Sequence, residues 1–241
     1  MTEYADDYDM AELMIVAGSR KLRNDDVAII GTGLPFLSAQ LAKENHAPDM
    51  TVVVEGGQYD AQPDHVPYTV GDAGLTNGAG MTNMFATSST LLNNELDVGF
   101  IGGAQVDKYG NLNSTCIGDY EDPAVRLPGS GGASPIAAHC KRTVIIMPQE
   151  RRRFVDEVDF LTSAGYLDGP GAREEAGLPG GGPEALVSDM GVYSFDDETK
   201  EMVLESHHPG VSVDEIREAV MWDLKVADEV TETELPTEEE V

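Results

Sequence analysis

Apolar positions along this chain fall in short, uninterrupted runs separated by longer stretches of mixed pattern. "VAII" at Val27 to Ile30, "TVVV" at Thr51 to Val54, "DVGFIGG" and "RTVIIMP" are compact and rich in β-branched residues, which predicts buried strands. Between them the spacing changes. Met10, Leu13, Met14, Ala17 and Leu22 recur at a period of about 3.6 and predict a helix over residues 9 to 23. Pro35 to Lys43 predicts a second helix, after the turn "GTGLP". This strand–helix–strand rhythm belongs to an α/β fold, an open, mostly parallel sheet covered by helices. Further on, "ALVSDMGVYSF" and "EMVLESHHPG" flank the turn "DDETK" and predict an antiparallel pair. "SVDEIREAVMWDL" carries a serine cap and a helical period. Residues 1–225 therefore read as one domain, and the acidic residues 226–241 as a loose tail.

Composition narrows the class. Of 241 residues 41% are hydrophobic, enough for a real core. No apolar run approaches the roughly 18 residues of a membrane span, and the acidic start "MTEYADDYDM" resembles neither a secretory signal nor a transit peptide. Cys116 and Cys140 form no metal pattern or disulfide framework, and the five histidines lack ligand spacing. The expectation is a cytoplasmic protein with reduced thiols, no bound metal and no membrane association. The charge is extreme: 44 acidic residues against 15 basic, a net −29. A field of that sign disfavours nucleic acid. The acids are scattered along the chain rather than gathered in one patch, as expected of a halophilic protein kept hydrated in high salt.

Candidate chemistry lies at strand ends, where open α/β sheets place their sites. Glu55 follows the strand "TVVV" and is followed at once by Gly56 and Gly57, as if something large must approach the carboxylate. "GTGLP" lacks the third glycine of a dinucleotide fingerprint and the lysine of a phosphate loop, so a tight turn is the better reading. "IGGAQVDKYGNLNS" supplies short polar side chains, Gln105 and Asn113 among them, suited equally to a site lining or to an Asx-rich turn. "GSGGAS" offers bare main-chain N–H groups of the kind that stabilise oxyanions. Lys141, Arg142, Arg151, Arg152 and Arg153 gather at the two ends of one strand, either for an anionic ligand or for local pairing with Glu150, Asp156 and Glu157.

Taken in order, "VEGGQYD", "IGGAQVDKYGNLNSTCIGDY", "GSGGA", "ERRRF", "GYLDGPGARE" and "GLPGGGPEALVSDMGV" resemble the class I CoA-transferases, most nearly the B subunit of glutaconate CoA-transferase, over residues 10 to 225. The resemblance implies a fold of the CoA-transferase (NagB/RpiA-like) type and a separately encoded A subunit as partner. It implies Glu55 as catalytic nucleophile, where the glutaconate enzyme reads Glu-Ser-Gly and this chain has glycine at position 56. It implies loop amides near Gly132 and Ala133 as oxyanion donors, and room at Gly56 and Gly57 for the thiol end of coenzyme A. Gln105 and Asn113 are implied as site-lining. No tightly bound cofactor is implied; coenzyme A enters as substrate and as a transient covalent adduct, exchanged between an acyl-CoA and a free carboxylic acid. Two alternatives stand beside this. "SHHPGVSVDEIREA" is also similar to a branch of the superfamily that hydrolyses rings of CoA thioesters in steroid degradation, and a non-catalytic scaffolding subunit would dispense with Glu55.

Overall fold

The computed structural model describes residues 3–241 apart from 85–87, 89 and 92. The stretch Val70 to Thr90, which carries four glycines and few helix signals, thus lies partly outside the described residues. Helix α1 (Met10–Ser19) starts on a reciprocal cap: the Asp9 carboxylate accepts from the Glu12 N–H while Glu12 accepts from the Asp9 N–H. After β1 (Val27–Ile30), helix α2 (Leu34–Asn45) begins behind Gly33 with Pro35 in its first turn, so "GTGLP" is indeed a tight strand-to-helix turn. The Ser38 hydroxyl of α2 donates to Ile15 O and sits so near Gly18 that the two helices meet without a side chain at 18.

The other strands are β2 (Thr51–Val54), β3 (Gln58–Tyr59), β4 (Met81–Thr82), β5 (Val98–Ile101), β6 (Gln105–Val106), β7 (Leu112–Asn113), β8 (Cys116–Ile117), β9 (Val125–Arg126), β10 (Arg142–Ile146), β11 (Pro183–Val187), β12 (Gly191–Phe195), β13 (Met202–His207) and β14 (Lys225–Glu232). Helix α3 spans Ala133–His139, α4 Ala172–Glu175 and α5 Val213–Glu218. Ten strands form one sheet in the order β14-β13-β12-β11-β10-β5-β1-β2-β3-β4. From β2 through β1, β5 and β10 to β11 every pairing is parallel. Outside this sheet, β6–β7 and β8–β9 form small antiparallel hairpins.

The central strands are buried on both faces, and their alternate residues serve different cores. Ala28, Ile30, Val52 and Val54 pack with Met14, Ala17, Phe36 and Ala39 of α1 and α2. Ile29, Val53 and Ile145 face the other way, toward Ile136 of α3, Phe154 and Tyr193. Continuous apolar runs are what a doubly covered parallel strand requires.

Three expectations need correction. "ALVSDMGVYSF" is two strands, not one: the Ser188 N–H donates to Gly191 O, turning β11 into β12. The helix expected over "SVDEIREAVMWDL" is helical only from Val213 to Glu218. The tail is not loose. β14 pairs in parallel with β13, Arg20 grips the Glu240 carboxylate at 2.6 Å, and Tyr4 bridges to Thr237. Its charges suit the exposed edge of a sheet, where they discourage pairing with another chain. Among the described residues no helix is long and apolar enough to cross a membrane.

Candidate functional site

Because β1, β2, β5 and β10 run parallel, their carboxyl ends share one edge of the sheet. From β1 the chain moves to β2 on one side and later returns to β5 on the other. Such a reversal leaves a crevice beyond the strand ends. A cleft of about 380 Å³ lies there, between Gly31 and Thr32 after β1, Glu55 after β2, Gly102 after β5 and Pro148 after β10. Leu34, Phe100, Ile136 and Met147 make its walls apolar, and among the described residues Glu55 is the one charged side chain lining it.

Glu55 is half-buried, and its position is fixed twice. Its own N–H donates to Ile30 O, extending the β1–β2 ladder by one residue. Its Oε1 accepts from the N–H of Gly132 at 2.8 Å. A Cβ at 132 would lie 2.8 Å from the Glu55 carboxyl carbon, so a side chain there would occupy the carboxylate's place. The loop is tethered from behind: Gly129 N–H donates to Ser114 O and the Ser114 hydroxyl donates to Gly129 O. Gly132, which the resemblance implies as an oxyanion donor, is thus brought to Glu55. Ala133 lines the cleft, but its N–H donates to Ser130 O at 2.9 Å in a turn and is not aimed at Glu55.

The space beside Gly56 and Gly57 is filled by the chain itself rather than left open for a thiol. A Cβ on Gly56 would come within 2.1 Å of Val70 O, and one on Gly57 within 2.6 Å of Met84 N. Asn83 N–H donates to Gly57 O at 2.7 Å. The two glycines therefore let residues 66–84 strap down over the loop that carries Glu55. Nothing periodic in the sequence signals that contact.

Gln105 and Asn113 do not line the cleft. Both are buried and joined to each other, with Asn113 Nδ2 donating to Gln105 Oε1 at 2.7 Å and to Cys116 O at 2.6 Å. Gln105 also accepts from Asp159 N–H and donates to the Asp159 carboxylate. They brace the β6–β7 hairpin against its neighbours, so the turn reading of that motif is the better one. Asp107 in the same motif accepts from the N–H groups of Tyr109 and Asn111 and from Asn111 Nδ2, while burial pushes its carboxyl up to about 6. Of the cations at residues 141–153, four lie on carboxylates, none of them Asp156 or Glu157, and Arg151 donates to the main-chain carbonyls of Glu218 and Val220. Arg152 and Arg153 share Glu150, Lys141 lies on Asp97, and Arg142 on Asp26. Two polar positions that sequence reasoning passed over, Thr32 and Ser130, also line the cleft. The rule that sites sit at strand ends would have reached Thr32, which follows β1 after one residue, Gly31.

Chemically, the cleft presents one carboxylate, anchored by a main-chain donor, to an apolar space. A carboxylate so held can act as a nucleophile or as a base toward a substrate laid along the strand ends.

A family description, Coenzyme A transferase, matches residues 11–219. The B subunit of 3-oxoadipate CoA-transferase from Pseudomonas knackmussii is 40% identical over 238 residues, which covers 97% of this chain and 91% of that protein. The B subunit of glutaconate CoA-transferase from Acidaminococcus fermentans is 41% identical over 243 residues, 98% of this chain and 90% of that one. The crystal structure of glutaconate coenzyme A-transferase from Acidaminococcus fermentans superimposes with a TM-score of 0.91, at 39% identity, covering 97% of this chain and 92% of that chain. A cholesterol ring-cleaving hydrolase IpdB subunit of Mycobacterium tuberculosis is more distant, 27% identical over 96% of this chain and 91% of its own. With a match that spans most of the sequence and an architecture that superimposes along nearly its whole length, this chain belongs to the coenzyme A transferase family.

Proposed function

We propose that this chain is the B subunit of a two-subunit CoA-transferase, and that Glu55 carries coenzyme A between two acids. The observation behind the assignment is the Glu55 carboxylate, held at the tip of β2 in the cleft by the Gly132 N–H. Glu55 attacks the acyl-CoA carbonyl, expelling the CoA thiolate and forming a mixed anhydride. The thiolate then attacks the Glu55 carbonyl of that anhydride. A glutamyl-CoA thioester forms and the first carboxylate departs. The acceptor carboxylate reverses these steps and leaves as the new acyl-CoA, so the kinetics are ping-pong. Both halves pass through tetrahedral oxyanions. The Gly132 N–H, already within reach of the Glu55 oxygens, is the donor best placed for the oxyanion on Glu55 itself. The Ala133 N–H joins it only if its turn with Ser130 opens.

The partner is a separately encoded A subunit, and the substrates are an acyl-CoA and a free carboxylic acid. The scattered acidic charge fits work in the salt-rich cytoplasm of a halophile. Ring-opening hydrolysis is the weaker reading, since the transferase relatives, 40% and 41% identical, are nearer in sequence than the hydrolase relative at 27%.

The decisive experiment co-expresses the neighbouring A subunit, incubates the complex with an acyl-CoA and no acceptor, and maps added mass. A CoA adduct on Glu55, reducible by borohydride and absent in Glu55→Gln, is expected. Full turnover in Glu55→Gln would refute the assignment and favour a scaffolding role.

A further inference from the structure

The strap over Gly56 and Gly57 is held at its start by polar ties more than by burial. From Asp64 to Thr69, Pro67 alone is buried, while Val66 and Tyr68 face solvent. Val70 is partly buried and Leu75 fully, both against the core that α1 and α2 cover. Between them the chain winds around one carboxylate. Asp72 accepts from the N–H of Gly74 at 2.9 Å and from that of Tyr68 at 3.2 Å, and its own N–H donates to Thr69 O. Val70 sits inside this turn. Its carbonyl oxygen is the atom that a Cβ on Gly56 would meet at 2.1 Å, and Gly56 follows Glu55 directly.

His65 joins the start of the strap to the same carboxylate. Its Nδ1 lies 2.8 Å from Oδ1 of Asp64, and its Nε2 lies 3.2 Å from Oδ2 of Asp72. A carboxylate only accepts, and a neutral imidazole carries one N–H, so the two bonds coexist only in the imidazolium. The Tyr68 ring stands 6.1 Å from the imidazole, centre to centre. Lys43 and Glu44 of α2 line the cavity of about 630 Å³ beside His65, with Lys43 held on Asp60. The hydrogen bonds to Asp64 and Asp72 hold the imidazole above its ordinary 6.5.

We propose that His65 is a positioning residue for Glu55: as imidazolium it ties Asp64 to Asp72, keeps the Val70 turn down on Gly56, and so steadies the loop that carries the nucleophile. The role of nucleophile rests on the transferase reading above. The tie is complete below pH 6.5 and is lost as pH rises through the raised value. A neutral ring keeps one of the two bonds, and the turn around Asp72 loosens. The Glu55 loop then gains freedom where a misplacement of about 1 Å already slows reaction.

The test is amide hydrogen exchange on the reconstituted two-subunit enzyme between about pH 6 and about pH 9, corrected for intrinsic exchange. Four N–H groups report: Tyr68 and Gly74, which donate to Asp72, and Gly57 and Asn83, which donate to Val54 O and Gly57 O beside Glu55. Protection at all four is expected to fall about two- to fivefold in wild type as pH rises. His65→Gln should show the lower protection at every pH. His65→Arg, always charged and able to reach both carboxylates, should keep the higher protection throughout. Turnover should fall about two- to fivefold more in wild type than in His65→Arg over the same range. Protection in wild type that does not change with pH, or full protection in His65→Gln at about pH 6, overturns the proposal. So does loosening at Tyr68 and Gly74 that leaves Gly57 and Asn83 unmoved, which would make the tie merely structural. Exchange needs no turnover, so the outcomes separate: the expected exchange with no adduct on Glu55 would refute the covalent mechanism and leave the tie standing.

Discussion

The N–H of Gly132 donates to Oε1 of Glu55 at 2.8 Å, joining residues 77 positions apart. The bond makes the glycine cluster before α3 and the end of β2 one structural unit. It also explains why position 132 bears no side chain, since a Cβ there would lie 2.8 Å from the carboxyl carbon of Glu55. Gly132→Ala should therefore push the carboxylate out of place while keeping the fold. A displacement of that order costs about 10²-fold in rate. The expected result is a kcat for CoA transfer lowered about 10²-fold with an unchanged unfolding midpoint and intact assembly with the partner. Wild-type kcat in Gly132→Ala would mean that the Gly132–Glu55 bond is incidental.

Gly56 makes a different prediction, because its close neighbour is backbone. A Cβ would stand 2.1 Å from Val70 O and 2.9 Å from Gln58 Oε1. A carbonyl cannot swing away as a flexible side chain can, so the strap over Glu55 must lift. Gly56→Ala should lose about 1–3 kcal/mol of stability in chemical denaturation. Gly71→Ala, one residue beyond Val70 and with nothing within 4 Å of its added carbon, should stay within about 0.5 kcal/mol of wild type. Equal losses at both positions would show general intolerance of the strap rather than a specific contact at Gly56.

Much of this organisation was legible in the chain. A carboxylate directly after "TVVV" marks a strand tip, and the glycine cluster at 129–132 marks exposed amides; the fold brings the two together. What could not be read depends on contacts between distant residues. Val70 and Met84 close over Gly56 and Gly57 through main-chain atoms, which leave no pattern in side-chain type. Gln105 and Asn113 misled because a site lining and a buried, mutually satisfied pair use the same residues; only their burial separates the two. The tail misled because acidic charge marks both a disordered segment and a protected sheet edge, and pairing with β13 decides for the edge.

Asp107 gives the fold a pH dependence of known sign. Burial raises its carboxyl from 3.8 to about 6 in the folded chain, against the pull of Asn111, Tyr109 and Lys108. A raised folded pKa means that the folded state binds the proton more tightly than the unfolded one. The resulting stabilisation is complete below about pH 4 and is lost as pH rises through about 6. Two units correspond to about 3 kcal/mol at most. Asp107→Asn cannot titrate, so the unfolding free energy of the variant should lose less between pH 4 and pH 7 than that of wild type. Both are measured by denaturation at one KCl concentration. Parallel curves for the two proteins would contradict the shift.

Salt should act in the same direction throughout the molecule. With 44 acidic residues and 15 basic ones, most carboxylates have no cation to meet, and the cations present are already bound within the chain. Folding therefore gathers uncompensated negative charge onto one surface, and the repulsion grows as the chain becomes compact. Raising KCl from about 0.1 M to about 1 M shortens the screening length from about 10 Å to about 3 Å and relieves that repulsion. For a chain of this size each kcal/mol of relief raises Tm by about 2–4 °C. The melting temperature should climb steadily over that range, and most steeply at the low end, where screening changes most per mole added. The buried Arg142–Asp26 pair, screened little by salt, should contribute almost nothing to the slope. A Tm that falls with KCl would show that ion pairs lost to screening outweigh the repulsion relieved, and would remove the physical basis for reading the acidic surface as an adaptation to salt.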